Sequence, residues 1–172
     1  AYSVEALERE VPVSTYLSEC VDVERFLEYC KACSYYAGRW SCPPFSFRPL
    51  QFWRQYDCLH LFARVLHPLS HKTSAGLLEG LREEKSRLLR ELLDMEKRKS
   101  GSQALAAGSC VGMIAAAEGR EMPKPQAMRY SIESLGGDVE KTMELYFHRS
   151  IVWIGKETFP EYLTLVGGLL LK

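Results

Sequence analysis

Two adjacent prolines, Pro43 and Pro44, forbid a helix through this part of the chain. Each lacks an N–H, fixes its own φ and pushes the residue before it into extended conformations. They follow Cys42, the last cysteine of the stretch Cys30-Lys-Ala-Cys33-Ser-Tyr-Tyr-Ala-Gly-Arg-Trp-Ser-Cys42, which holds three of the chain's six cysteines within thirteen residues. A Cys-x2-Cys pair brings two sulfurs close enough to clamp one ion, and a third cysteine beyond a glycine-containing loop closes on it from another side. The pattern Cys-x2-Cys-x8-Cys is therefore read as a metal site that lacks a fourth ligand. The competing reading is of small buried hydrophobes, because free cysteine is among the most buried residue types.

Six cysteines in 172 residues are too sparse for a secreted disulfide scaffold, and the cluster has ligand spacing. The first ten residues lack the basic start and apolar core of a signal peptide, and no uncharged apolar run reaches membrane-spanning length. The expected location is cytoplasmic. Lys plus Arg equals Asp plus Glu at 22 each, which gives no electrostatic case for nucleic acid or an anionic membrane. The expected partner is an unidentified protein or small molecule. The length and a hydrophobic content of 47% suit one soluble domain over residues 1–172.

Pro12 interrupts any long helix near the start, where a short strand or turn is expected. Asp22 is the predicted N-cap of a helix from Val23 to about Lys31, with Val23, Phe26, Leu27 and Cys30 at helical spacing. That helix delivers Cys30 and Cys33 into the loop. Cys58 to Leu66 alternates as a strand, Leu59, Leu61 and Val65 on one face, with His67-Pro68 ending it. Thr73 or Ser74 caps the longest predicted helix, to about Lys99, with Leu77, Leu81, Leu88, Leu92 and Met95 on its apolar side and Glu83 paired to Arg87 on its solvent side. Residues 102–107 form a short predicted strand, and 111–126 a loop or broken helix. Tyr130 to Leu135 has helical character and stops at Gly136-Gly137, after which Asp138 caps a helix to about Phe147. Ile151 to Ile154 and Tyr162 to Leu171 read as strands, the latter weakened by Gly167-Gly168. Strands separated by helices indicate an α+β fold, a small sheet packed by helices, and a ferredoxin-like arrangement fits the order of elements.

Tyr29-Cys30-x-x-Cys33, Tyr36, Gly38 and Trp40-Ser41-Cys42-Pro43-Pro44, followed far downstream by Met128-Arg129-Tyr-Ser131-Ile-Glu133-Ser-Leu-Gly136-Gly-Asp138-Val139, resemble the prokaryotic cysteine-rich family of predicted metal-binding proteins of unknown function. The resemblance runs from about Val21 to the C-terminus. It implies a second cysteine cluster, similar to an iron-sulfur motif, just before the Met-Arg-Tyr-Ser segment. Here only Cys110 matches; Met113, Ala116 and Met122 stand at the other positions, and none can replace a thiolate. The downstream cluster is thus largely lost, which leaves Cys110 as the candidate fourth ligand to Cys30, Cys33 and Cys42. Four thiolates suit zinc or an iron-sulfur cluster.

Cys58 is expected to pack in its strand and Cys20 to be structural. His60, His67, His71 and His148 offer no ligand pair on one helix. Arg129 and Glu133 are read as an i,i+4 ion pair rather than as an anion binder and a catalytic acid. Two other functional readings compete with metal binding. One is a thiol enzyme in which Cys30 and Cys33 cycle between dithiol and disulfide. The other is a metal-free interaction module presenting Tyr35, Tyr36, Trp40, Phe45 and Phe47 to a partner.

Overall fold

The computed structural model describes residues 2–69, 74–108, 126–155 and 160–172. Four strands, β1 (Tyr2–Pro12), β2 (Cys58–Pro68), β3 (Gln103–Leu105) and β4 (Leu163–Leu171), form one sheet in the order β1-β2-β4-β3. Every pair is antiparallel. The α+β class therefore holds, with the helices packed on a small sheet. The strands do not take the ferredoxin-like arrangement, whose split βαβ units set strands parallel; β1 lies at an edge and pairs antiparallel with β2 along its whole length.

Among the described residues, five helices cover the sheet: α1 (Val13–Cys20), α2 (Val23–Lys31), α3 (Pro49–Trp53), α4 (Ser74–Arg98) and α5 (Val139–Phe147). They sort into two layers by the parity of the strand residues they meet. Leu59, Leu61 and Ala63 of β2 and Val166 and Leu170 of β4 face a core shared with Tyr16, Cys20, Trp53, Ile132, Leu135 and Met143. Phe62 and Leu66 of β2 and Leu163, Leu165 and Leu169 of β4 face Leu77, Leu88 and Leu92 of α4. Successive strand side chains point to opposite faces, so a sheet covered on both sides needs nearly unbroken apolar strands. This is why β2 and β4 read as runs of Leu, Val, Phe and Ala. Gly168 sits where a Cβ would lie 2.8 Å from Leu59, so the glycine pair that weakens the strand on paper is what lets β4 pass under its neighbours.

The caps form as their chemistry dictates. The Asp22 carboxylate accepts from the Arg25 amide at 3.1 Å, and that of Asp138 from the Lys141 amide at 2.9 Å. Thr73 lies outside the described residues, as do 111–125, and Ser74 is already the first residue of α4. On α4, Arg87 pairs with Glu84 at 2.6 Å rather than with Glu83. Glu84 is almost fully buried and also accepts from the Tyr2 hydroxyl, so strand β1 draws that carboxylate inward and the arginine follows it. Ile151 to Ile154 form no strand. Ile151 packs on the core, while Val152, Trp153 and Ile154 stay exposed; β-branched residues favour a strand only where a ladder partner satisfies their backbone. No helix among the described residues is long and apolar enough to cross a membrane.

Trp53, wholly buried, donates its indole N–H to the Leu135 carbonyl at 3.0 Å. Trp53→Phe leaves that acceptor unsatisfied and is expected to lower stability by about 1–3 kcal/mol, read as a fall in the urea midpoint with unchanged slope.

Candidate functional site

Helix α2 ends in a series of tight turns that curl the cysteine loop back on itself. The Cys33 amide donates to the Cys30 carbonyl at 3.0 Å, Tyr36 to Cys33 at 3.1 Å and Gly38 to Tyr35 at 3.0 Å. The Ala37 amide then donates to the Pro43 carbonyl at 2.8 Å, which returns the end of the loop to its beginning. Trp40 anchors the far side against Leu89, Ala106 and Met128, and the Arg39 guanidinium lies 3.4 Å over the Tyr35 ring.

This folding brings Cys30, Cys33 and Cys42 into one neighbourhood. Burial pushes the Cys30 thiol above its usual range, and the nearby Cys42, Cys33 and Glu133 push it further in that order. Cys33 is exposed, and Cys42, like Cys30, is half-buried. Thiol donors of this kind suit a soft or borderline metal. Among the described residues, however, no group of three or more His, Cys, Asp or Glu is arranged to hold an ion. Cys110 lies outside the described residues, together with Met113, Ala116 and Met122.

The i,i+4 pair of Arg129 with Glu133 does not form. Arg129 instead grips Glu96 of α4 with two hydrogen bonds of 2.9 and 2.6 Å, and Glu96 also accepts from the Ala104 amide of β3. Both side chains are largely shielded, so this bidentate pair is stronger than a surface ion pair. Glu133 is left in a 3-10 turn (Glu133–Leu135) with its Oε2 sealed from solvent and without a hydrogen-bond partner among the described residues. Burial raises its pKa, offset in part by its own amide, Lys85, the Gly108 amide and Ser131. Its place was hard to foresee because Arg129 four residues earlier offers a ready partner. The signal that was present is a carboxylate between Ile132 and Leu135, both of which turn out to be wholly buried.

The remaining cysteines are Cys58, half-buried at the start of β2, and Cys20, buried in the core with its thiol pushed up to about 11 by burial. His60 sits 2.8 Å from Glu8 and stacks on Phe62, and His67 lies 3.4 Å from Glu5, both on the sheet rather than in a ligand cluster. His71 is outside the described residues. The aromatic stretch after Pro44 turns inward: Phe45 and Phe47 stack with centroids 4.8 Å apart, and both meet Tyr130 edge-on. Tyr35 is the exposed member of that group.

A family model described as "Predicted metal-binding protein (DUF2284)" matches residues 17–171. No curated protein and no solved structure gives a match.

Because the folded state raises the Glu133 pKa, it favours the protonated acid. The contribution of this group is fully present below the ordinary carboxylate value and is lost as pH rises through the folded value. Cys30, Tyr16 and Lys85 are the other titratable groups in its field. Glu133→Gln is expected to melt higher than the parent at pH 7–8, by about 2–4 °C per kcal/mol relieved. The two melting curves should converge toward pH 4, as thermal scans across that range would read.

Proposed function

The chain belongs to this family of predicted metal-binding proteins, a domain of unknown function, and on that premise we propose that Cys30, Cys33 and Cys42, completed by Cys110, hold a zinc ion or an iron-sulfur cluster. The observation that supports this reading is the closeness of the loop thiols, two of which, Cys42 and Cys33, act on the ionisation of the third, Cys30. Cys110 is included as the fourth ligand that the family resemblance suggests; it follows Gly108, whose amide hydrogen-bonds the Glu133 carboxyl, by two residues.

Four thiolates satisfy a tetrahedral zinc or a cubane cluster equally well. Bound there, zinc would pin the loop, and a cluster would add one-electron chemistry. The protein's own part is to keep the loop closed through Ala37 and Pro43 and to hold Cys30 away from bulk water. A thiol in that setting is a poor free nucleophile. The raised Cys30 pKa makes Cys30 a poor attacking thiol and is compatible with a ligand that a metal deprotonates on binding. The inward packing of Phe45 and Phe47 leaves less aromatic surface for an interaction module.

Elemental analysis and a visible spectrum of anaerobically purified protein test the proposal. The expected result is stoichiometric zinc without colour, or iron and sulfide with a brown absorbance. Serine at position 30, 33, 42 or 110 should remove most of the metal, and uptake should fall as pH drops because the ligands must lose protons. Metal-free protein with an intact circular dichroism spectrum would refute metal binding, and unchanged stoichiometry in Cys110→Ser would remove Cys110 from the ligand set.

A further inference from the structure

Strand β1 is an edge strand of eleven residues, about twice the usual length, and its register with β2 runs unbroken from Tyr2 to Pro12. Among the described residues, no strand pairs with its outer edge. The usual means of blunting such an edge are missing: β1 has no bulge and no lysine, and its single proline is its last residue.

Two prolines fix which backbone groups that edge presents. Tyr2 lies opposite Pro68 and Pro12 opposite Cys58, and a proline has no N–H to exchange in a hydrogen-bonded pair. The even-numbered residues of β1 therefore stand in the non-hydrogen-bonded pairs, and the Val13 amide, donating to the Asp57 carbonyl at 2.9 Å, continues the odd-numbered series. Hydrogen bonds to β2 thus run through Ser3, Glu5, Leu7, Arg9 and Val11. The N–H and C=O groups of Val4, Ala6, Glu8 and Glu10 point outward, with no ladder partner in the sheet.

The charges on β1 are unequally satisfied. Glu5 is gripped by Arg149 and lies 3.4 Å from His67, and His60 lies 2.8 Å from Glu8 and 3.8 Å from Glu10. Arg9 is exposed, and among the described residues its guanidinium meets the Tyr146 carbonyl at 3.3 Å and the Tyr146 ring but no carboxylate.

We propose that β1 pairs antiparallel with β1 of a second copy of this chain, about a twofold axis through Leu7, joining two four-stranded sheets into one. Outward-pointing residues must meet one another, so the axis passes through a residue rather than between two. An axis through Glu5, Glu8 or Arg9 sets that residue against its own counterpart, a like-charge contact. One through Ala6 sets Leu7 against Glu5 of the second copy and leaves Arg9 opposite Ser3. Axes nearer the ends of β1 shorten the ladder. The axis through Leu7 sets Arg9 of each copy against Glu5 of the other, in non-hydrogen-bonded pairs whose side chains approach most closely. It also places Ala6 opposite Glu8 and Val4 opposite Glu10, whose backbones exchange about eight hydrogen bonds across the axis. The Glu5 carboxylate offers roughly four acceptor sites, so it can receive Arg9 without releasing Arg149. The pairing uses the sheet and none of the cysteines proposed as metal ligands.

Sedimentation velocity on the full chain, with amide hydrogen exchange followed by NMR, tests this. A strand-on-strand contact is a small interface, so a reversible dimer with a dissociation constant on the order of 1–100 μM is expected. The Val4, Ala6, Glu8 and Glu10 amides should exchange more slowly as concentration rises, while those of Glu5, Leu7 and Arg9, bonded to β2, stay protected at every concentration. Ala6→Pro removes an amide that the monomer does not use, so it should fold by circular dichroism and weaken the dimer at least about tenfold. Arg9→Glu and Glu5→Arg should each stay monomeric alone and dimerise when mixed, since the mixed pair restores both opposite-charge contacts. If Glu5→Arg does not fold, Ala6→Pro and the exchange pattern carry the test. The proposal is overturned by a monomer up to about 1 mM, by a dimer whose outward β1 amides stay unprotected, or by folded Ala6→Pro dimerising like the parent.

Discussion

Two backbone hydrogen bonds, Asp22 N to the Gly136 carbonyl at 2.9 Å and Asp138 N to the Cys20 carbonyl at 2.7 Å, fasten the start of α2 to a turn more than a hundred residues away. Gly136 makes the seam possible. It adopts φ +89°, and a Cβ there would lie 2.7 Å from the Val23 Cα, so any other residue would force the two segments apart. Trp53 backs the same turn from inside the core through the Leu135 carbonyl. Because α2 begins at this seam and ends in the cysteine loop, and Glu133 lies three residues before Gly136, the seam sets where the thiols sit relative to the buried carboxyl. The nearness of Cys30 and Glu133 is therefore a property of the scaffold.

The sheet contributes rigidity of a different kind. Its central strands β2 and β4 are buried on both faces, with α4 on one side and the smaller helices on the other. Close packing of that sort transmits displacement rather than absorbing it. The cysteine loop lies outside that sandwich, held by Trp40 and by its own backbone turns.

Much of this was readable from local chemistry. Asp22 and Asp138 cap helices because their short carboxylates compete for the first free amides, a preference that needs no tertiary information. The apolar face of α4 and the strand identity of β2 follow from periodicity alone. What the sequence concealed depends on distant neighbours. Glu96 outcompeted Glu133 for Arg129 because it can be gripped at both oxygens while also receiving the Ala104 amide. Glu84 rather than Glu83 partners Arg87 because Glu84 is the one drawn into the interior; Tyr2 from β1 reaches both, Glu84 at the shorter distance. Ile151 to Ile154 have strand composition but no ladder to join. The antiparallel pairing that replaced a ferredoxin-like order is likewise a choice among long-range partners that local propensity does not encode. The three cysteines of the loop were legible as a group from spacing, and the carboxyl beside them was not.

Glu96 also sets the terms for the stretch that contains Cys110. It receives the Ala104 amide on one side of that stretch and the Arg129 guanidinium on the other, and the Ala106 amide donates to the Tyr130 carbonyl at 2.9 Å just beyond. The described residues on the two sides of that stretch are thus tied to one long helix and to each other, by residues that are not cysteines. Closing a loop costs free energy only as the logarithm of its length, about 0.6 kcal/mol per doubling. The length of chain between these ties is therefore only weakly coupled to the stability of the sheet and of the Cys30 loop, which are fastened by contacts outside it.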